Sequence, residues 1–301
     1  MLWTEQYRPA TLDEIIGQPK FYIDAITWKE GMPNLLLYGD AGTGKTAAAI
    51  ATANFVLGED KQGNFFEINA SDDRRLEVVR TTIKEISSSM KLGDIPHKII
   101  LLDEMDGMTP DAQNALKRVM ERYSGNVRFI ITCNNRFKII LPLQSRCANY
   151  LFTKISEEDM KIVLETILEK EGIDSIPTEE LEMFIKEMRG DLRRAITELQ
   201  ASDNSNASLN IQIKRMEEPY DNILESIRNK QYESALNQIH ALIHQSVDIK
   251  YVCQSLHEAI LRKELDAGMK FKLLRVIGEA EWRSSNMTPK VLSSWMIGQM
   301  I

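Results

Sequence analysis

Short apolar runs, rich in β-branched and aromatic residues, recur through the first half of the chain. Their length and near-continuous hydrophobicity are typical of strands buried on both faces of a parallel sheet. Four such runs are predicted as strands, and a fifth is a further candidate: Leu35–Tyr38, Phe65–Ile68, Ile99–Leu102 and Val127–Thr132, then Asn149–Phe152. Helical patterns lie between them, over Lys45–Leu57, Leu76–Met90 and Pro110–Tyr123. Alternating strands and helices predict an α/β domain with a five-stranded parallel sheet.

The strand pattern stops after about residue 154, and helix-start signals follow. Ser156 precedes Asp159 as in a capping box, Thr178 opens a second helix, and Asp191 opens a third that runs to Gln200. A small helical domain is therefore predicted over residues 154–204, after an α/β domain over residues 1–153.

The last third of the chain has apolar residues at helical spacing only. Ala201–Asn210 is rich in Ser and Asn and is predicted as a linker. From about Tyr220 onward the pattern predicts four or five packed helices. The pairs that carry this pattern are Leu256 with Ile260, Leu273 with Ile277, and Val291 with Trp295. We assign residues 205–301 to a separate all-α domain.

Composition is that of an ordinary globular protein, with 301 residues, 43% hydrophobic and 27% charged. Three cysteines are too few and too far apart for a disulfide framework, and no Cys-x-x-Cys pair could hold zinc. The first nine residues do not have the pattern of a signal peptide, and no apolar run is long enough to cross a bilayer. We expect a cytoplasmic protein that is not secreted.

The net charge of −7 argues at first against a nucleic-acid partner, since phosphate binding depends on Lys and Arg. The charge is unevenly distributed, however. Residues 155–200 hold 13 acidic and 6 basic side chains and account for the whole excess, whereas residues 133–154 hold four cations and no acid. A local anion-binding surface is therefore compatible with the overall negative charge.

The first predicted strand runs directly into a phosphate-binding pattern. The residues are Gly39-Asp40-Ala41-Gly42-Thr43-Gly44-Lys45-Thr46, which match G-x-x-x-x-G-K-T between a strand and a helix. Glycines let successive backbone N–H groups approach phosphate oxygens, and the helix N-terminus adds its positive dipole. Lys45 is predicted to neutralise the β- and γ-phosphates, and the Thr46 hydroxyl to bind Mg²⁺.

Acidic residues follow the third predicted strand. Asp103 and Glu104 come at its carboxyl end, where ligands bind in open α/β sheets. We predict that Asp103 holds Mg²⁺, directly or through water, and that Glu104 orients and polarises the attacking water. A solvated acidic turn is the alternative, and the neighbouring phosphate loop makes it the weaker interpretation.

Three further polar residues are candidates for completing the site. Asn134 follows the fourth predicted strand and could bind the γ-phosphate or the nucleophilic water. Arg146, among apolar and small residues, could act in trans on the γ-phosphate of a neighbouring subunit. Arg193, near the start of a helix, could reach the nucleotide of its own subunit. The alternatives are ordinary turn chemistry for Asn134 and a surface salt bridge for Arg146.

An ordered set of motifs resembles the AAA+ sliding-clamp loaders, most of all the replication factor C small subunits and the ATPase subunit of tailed phages. The resemblance covers residues 1 to about 200. Its motifs are Trp3–Pro9, Ile15–Gln18, Gly39–Thr46, Asn69–Arg74, Leu101–Glu104, Thr132–Asn134, Pro142–Cys147 and Gly190–Ala195.

The resemblance implies an AAA+ P-loop domain, a helical lid domain and an all-α collar. Through the collar the chain would assemble with other clamp-loader subunits into a pentamer. ATP binding would open and hold a sliding clamp, and primer-template DNA would trigger hydrolysis and clamp release during replication. Tyr7, Arg8, Ile16 and Gly17 would line the adenine and ribose pocket. The DNA contacts would be to the backbone, without sequence specificity, from Arg74, Arg80 and Gln113.

Two other functions remain open from the sequence. A scaffold subunit could bind ATP without hydrolysing it and contribute only Arg146, although the Asp103-Glu104 pair argues against this. An AAA+ initiator or branch-migration motor would carry a C-terminal winged-helix domain, and residues 211–301 show no strand pair for a wing. The compact chain and short collar favour a viral source.

Overall fold

The computed structural model describes residues 1–70, 79–173, 176–205, 209–245, 247–284 and 286–300; the side chains of residues 79–80, 203–205 and 209–218 also lie outside the description. The chain forms two compact units, Met1–Asn206 and Ala207–Ile301. Within the part of the chain that the structure describes, no helix combines the length and apolar character needed to cross a lipid bilayer.

The first unit is built on a parallel sheet of five strands, and all five predicted strands are confirmed. In chain order, β1 to β5 are Leu35–Gly39, Phe65–Asn69, Lys98–Asp103, Val127–Cys133 and Ala148–Phe152. The order across the sheet is β2-β3-β4-β1-β5. The carboxyl ends of β3, β4 and β1 are therefore adjacent, with Leu37 paired to Thr132 and Leu102 to Ile131.

Both faces of the sheet are buried, which explains the continuous apolar runs. Leu35 and Leu37 pack on one face, with the alanine-rich helix Lys45–Leu57 and Phe152. Leu36 packs on the other face, with Leu116 and Phe129. A strand whose alternate side chains enter two cores has no exposed face to mark with polar residues.

Helices surround the sheet and extend beyond it. Those of the first unit, α1 to α9, are Trp3–Gln6, Pro19–Ala25, Lys45–Leu57, Lys84–Ser88, Pro110–Arg122, Leu141–Gln144, Glu157–Glu171, Thr178–Met188 and Leu192–Ser205. Thr109 caps α5 by accepting from the Ala112 N–H, and Ser156 caps α7 by accepting from the Asp159 N–H. Of the helix predicted over Leu76–Met90, residues 76–78 lie outside the described residues, and Val79–Ile83 and α4 are helical.

The predicted linker over Ala201–Asn210 is wrong in two places. Helix α9 continues to Ser205, and the next helix begins at Leu209. Ser202 is buried and its hydroxyl donates to the Glu198 carbonyl one turn earlier, so this polar side chain is accommodated within the helix. The prediction failed because the Ser- and Asn-rich composition of this segment is compatible with a polar helix end as well as with a loop.

The second unit is all-α, as predicted. Its five helices in the described residues, α10 to α14, are Leu209–Arg228, Tyr232–His244, Ile249–Arg262, Ala267–Arg283 and Pro289–Met300. Leu256, Ile260, Leu273 and Ile277 lie in its core. The expectation for Val291 is wrong, because its side chain is exposed and α14 packs through Leu292, Met296, Ile297 and Met300 instead.

Candidate active site

The phosphate loop connects β1 to α3 through an unusually close backbone contact. Gly39 has a φ of 148°, and a Cβ there would lie 2.1 Å from the carbonyl oxygen of Phe152 in β5. Only glycine allows the loop to leave the sheet at this point. The loop then ends at the N-terminus of α3, whose free N–H groups face an incoming anion.

Lys45 is held inside this loop. Its Nζ donates to the carbonyl oxygens of Gly39, at 2.9 Å, and Asp40, at 2.7 Å, and the residue is only 8% exposed. Burial lowers the pKa of Lys45, while nearby negative groups, Asp103 among them, oppose that shift. A poorly hydrated ammonium interacts more strongly with a phosphate than an exposed one does.

Asp103 and Glu104 are positioned by β3 and by hydroxyl groups from its surroundings. Thr46 Oγ1 donates to Asp103 Oδ1 at 3.0 Å, and Thr132 Oγ1 donates to the same oxygen. Glu104 follows in a left-handed conformation, with φ 54°. Its N–H donates to Thr132 Oγ1 at 3.1 Å, while its side chain is exposed.

The Asp103 carboxylate and the Thr46 hydroxyl are hard oxygen donors of the kind that Mg²⁺ prefers. Among the described residues, no group of three or more His, Cys, Asp or Glu side chains could hold a metal ion by itself. Mg²⁺ commonly uses one or two protein oxygens and takes its other ligands from water and nucleotide phosphates. The residues present therefore fit that ion.

A cavity of about 500 Å³ lies at the carboxyl edge of the sheet. It brings together most of the predicted site residues: Tyr7, Arg8, Ile16, Ala41, Gly42, Thr43, Gly44, Lys45, Thr46, Asp103, Glu104, Asn134 and Arg193. Gly17, Gly39 and Asp40 do not line it. Gly39 and Asp40 instead supply the carbonyls that bind Lys45, and Gly17 packs its backbone against Ile155.

One wall of the cavity is apolar and comes from two distant parts of the chain. Ile15 and Ile16 come from the N-terminal segment, and Ile162, Val163 and Ile167 come from α7. An apolar wall opposite a phosphate loop suits a planar base. The apolar wall and the phosphate loop thus line the same cavity.

The N-terminal segment is fastened to the helices that form this wall. Tyr7 OH donates to Glu171 Oε1 at the end of α7, and Gln6 Nε2 donates to the same oxygen at 3.0 Å. The Trp3 N–H donates to Gln200 Oε1 in α9. The hydrogen bond to Glu171 raises the pKa of Tyr7. Sequence reasoning missed Glu171 and Gln200, because partners more than 160 positions apart leave no local pattern.

Arg146 does not line the cavity of its own chain. Its Nη1 donates to the Pro142 carbonyl at 2.7 Å, and its Nη2 forms an ion pair with Glu121 of α5. The side chain is 37% exposed. It is therefore available on the surface, on the segment that follows β4.

The predicted DNA contacts fare differently. Arg74 lies outside the described residues, as does the side chain of Arg80. The expectation for Gln113 is wrong: the residue is 1% exposed, donates to the carbonyls of Met108 and Lys138, and accepts from the Ile140 N–H. A buried side chain whose polar atoms are satisfied within the protein is not available to a phosphate.

Comparisons with known proteins agree with this geometry. Residues 35–155 match the family model described as "ATPase family associated with various cellular activities (AAA)". The solved Thermotoga maritima RuvB Holliday junction branch migration motor superposes with a TM-score of 0.59 at 18% identity, over 83% of this chain and 85% of that one, a likeness of fold. The fold and the site define an AAA+ P-loop ATPase, which hydrolyses ATP.

Sequence relatives narrow this class. The replication factor C small subunit of Archaeoglobus fulgidus is 38% identical over 94% of this chain and 91% of its own length. That of Methanocella arvoryzae is 37% identical over 94% and 90%. The chain belongs to the replication factor C small-subunit family. These relatives are archaeal, and a viral source stays a prediction.

Proposed function

We propose that this chain is an ATPase subunit of a DNA sliding-clamp loader. ATP binding opens and holds the clamp, and primer-template DNA triggers hydrolysis and release. The observation that carries the proposal is the arrangement of the two arginines: Arg193 lines the chain's own nucleotide cavity, whereas Arg146 lies outside it on the surface. An arginine held on the surface, outside its own chain's nucleotide cavity, suits an arrangement in which neighbouring ATPase subunits complete each other's sites.

Each group in the cavity has a role in ATP hydrolysis. The adenosine is bound by Tyr7, Arg8 and Ile16. Gly17, next to Ile16 in the chain, packs against Ile155 at the edge of this pocket. The loop N–H groups and Lys45 bind the phosphates. Asp103 and Thr46 hold Mg²⁺, which when bound neutralises charge on the β- and γ-phosphate oxygens.

The remaining groups act on the water and on the transferred phosphoryl group. Glu104 accepts a hydrogen bond from the attacking water and polarises it, and Asn134 orients the water against the γ-phosphate. Arg193 binds the phosphates from the same chain, and Arg146 stabilises the charge that develops on the phosphoryl group bound by the neighbouring subunit.

The domain roles follow the same proposal. Residues 1–153 bind the nucleotide, residues 154–204 form a lid whose helices α7 and α9 carry part of the cavity wall, and residues 205–301 form the collar that joins subunits into a pentamer. The described part of the last unit consists of helices with no strand pair, which disfavours a winged-helix motor. Arg74 and Arg80 are proposed to contact DNA phosphates.

Steady-state ATP hydrolysis tests the proposal. We would measure the chain alone, then with its partner subunit, clamp and primer-template DNA, in wild type and Arg146→Ala. DNA-stimulated hydrolysis that Arg146→Ala abolishes while nucleotide binding persists is the expected result. Arg122→Ala, an exposed arginine on α5, is the control for loss of surface charge. The proposal would be overturned if, in the complete mixture, the rate of ATP hydrolysis were the same with and without DNA and clamp, and the same in Arg146→Ala as in wild type.

A further inference from the structure

Thr132 is the one side chain that contacts both members of the Asp103-Glu104 pair in the hydrogen bonds described above. It is the sixth residue of β4, the strand that lies between β3 and β1 in the sheet, and the residue is 1% exposed. Its Oγ1 donates to Asp103 Oδ1 and accepts from the Glu104 N–H at 3.1 Å. The same oxygen thus links the carboxylate of one residue to the backbone of the next.

A hydroxyl is suited to this position because it has one proton and two lone pairs. The hydroxyl donates its hydrogen bond to the Asp103 carboxylate, and a lone pair on the same oxygen accepts from the Glu104 N–H. Valine has the same shape as threonine and can do neither. Serine can do both.

The link to Glu104 has a specific consequence for the backbone. Glu104 adopts a φ of 54°, a conformation that residues with a Cβ rarely take. Strained conformations of this kind persist only where surrounding contacts hold them. The direction in which the Glu104 side chain leaves β3 therefore depends on the hydrogen bond from its N–H to Thr132.

The link to Asp103 concerns the metal ligand. Asp103 Oδ1 accepts hydrogen bonds from two hydroxyls, those of Thr46 and Thr132, and Thr46 is itself predicted to bind Mg²⁺. Thr132 remains as the partner that fixes the carboxylate from the β4 side. Partners that orient a metal-binding carboxylate commonly affect metal affinity and activity almost as strongly as the ligand itself.

We propose that Thr132 is a positioning residue of ATP hydrolysis, whose hydroxyl fixes the Asp103 carboxylate for Mg²⁺ and the Glu104 backbone for water activation. This inference rests on the proposed roles of Asp103 and Glu104. It assigns a function to a buried strand residue that the sequence marks only as the end of an apolar run.

Two variants of the full chain in its assembled complex test the inference. We expect Thr132→Val to lower kcat for ATP hydrolysis by about 10- to 100-fold, with KM changed less than about twofold. Thr132→Ser keeps the hydroxyl and should have a kcat close to that of wild type. A second readout does not depend on hydrolysis: the gain in affinity for a fluorescent non-hydrolysable ATP analogue on adding Mg²⁺, relative to EDTA. That gain should shrink in Thr132→Val and return in Thr132→Ser.

Matched controls separate this role from simple packing. Thr52→Val also replaces a buried threonine, one whose hydroxyl donates only to the Ala48 carbonyl within α3, and it should leave kcat and the Mg²⁺ effect near wild type. The inference is overturned if Thr132→Val behaves like Thr52→Val, or if Thr132→Ser is as impaired as Thr132→Val. Glu104→Gln is measured alongside: if it hydrolyses ATP normally, the proposed role of Glu104 fails first, whatever Thr132→Val does.

Discussion

Asp191 lies directly against the phosphate loop: a Cβ on Gly42 would come within 1.9 Å of Asp191 Oδ1. The same oxygen accepts from the Arg194 N–H and so caps α9 at 3.0 Å. Arg193, in the first turn of this helix, lines the nucleotide cavity. The phosphate loop and the helix that carries Arg193 are thus in direct contact.

Replacing Gly42 with alanine should disrupt both partners of this contact. The loop has a φ of 75° at Gly42, which disfavours any Cβ, and the added methyl group collides with the Asp191 carboxylate. We expect affinity for a fluorescent ATP analogue to fall by about tenfold or more, or ~1.4 kcal/mol. Gly31→Ala is the control, because nothing lies within 4 Å of its Cβ position. Unchanged affinity in Gly42→Ala would contradict the prediction, because it would show that Asp191 and α9 can shift away from the methyl group without weakening nucleotide binding.

The hydrogen bond from Tyr7 to Glu171 should contribute to nucleotide affinity, because it fastens the N-terminal segment to α7 beside the apolar wall. Removing it in Tyr7→Phe keeps the ring, and we expect affinity to fall about fivefold, or ~1 kcal/mol. Tyr22→Phe is a matched control, since Tyr22 OH donates to Asp13 at 2.6 Å and neither residue lines the cavity. Equal titration curves for the two variants would contradict the prediction.

The sheet and its connecting helices could be predicted because their signals are local. A strand buried on both faces needs a continuous apolar run, as in Ile99–Leu102, and a capped helix announces its start with a residue such as Thr109. The phosphate loop is equally local, since its glycines and Lys45 must be adjacent to wrap one phosphate group. Such features depend on a few neighbouring residues, and the sequence displays them directly.

The parts that sequence reasoning missed depend on contacts between distant residues. Glu171 meets Tyr7 across 164 positions, and Thr132 meets Asp103 only because β3 and β4 are neighbours in a definite register. The family resemblance implied a DNA contact for Gln113, yet this residue is buried and accepts from the Ile140 N–H just before α6. Polar side chains that satisfy buried backbone groups cannot be distinguished from exposed ones by composition.

Acid should destabilise the nucleotide-binding unit through His97. Burial, and then the positive charges of Arg128 and Lys91, lower the pKa of His97 from 6.5 to about 4, and its buried Nε2 has no hydrogen-bond partner. Between these pH values the unfolded chain binds the proton more readily, so the stability is present above pH 6.5 and is lost as the pH falls. We expect a loss of about 2 kcal/mol between pH 7 and pH 5.

The measurement is the free energy of opening of the β3 amides, from hydrogen exchange at both pH values. His97→Phe keeps an aromatic ring at this position but has no group that titrates. It should remove most of the difference in opening free energy between pH 7 and pH 5. His257→Gln, an exposed histidine on α12, should leave it as in wild type. A difference that survives in His97→Phe would assign the acid sensitivity to other groups.

Arg146 should complete the site of a neighbouring chain, and mixing two inactive variants tests this directly. Arg146→Ala keeps an intact cavity but offers no surface arginine, while Glu104→Gln offers Arg146 but lacks the carboxylate that we propose activates the water. In assemblies formed from equal amounts of both, about one interface in four pairs an intact cavity with an intact Arg146, if neighbours meet head to tail. We therefore expect about a quarter of wild-type ATP hydrolysis in the mixture, measured with partner subunit, clamp and primer-template DNA.

The matched control replaces Glu104→Gln by the double variant Glu104→Gln/Arg146→Ala, which leaves no Arg146 in the mixture and should give no activity. If Arg146 served its own chain instead, both mixtures would be inactive. The head-to-tail arrangement is favoured by the position of Arg146, because Glu121 and the Pro142 carbonyl hold its guanidinium at the surface, and the residue does not line its own cavity. Recovered hydrolysis in the first mixture alone would therefore identify Arg146 as the group that one subunit supplies to the next.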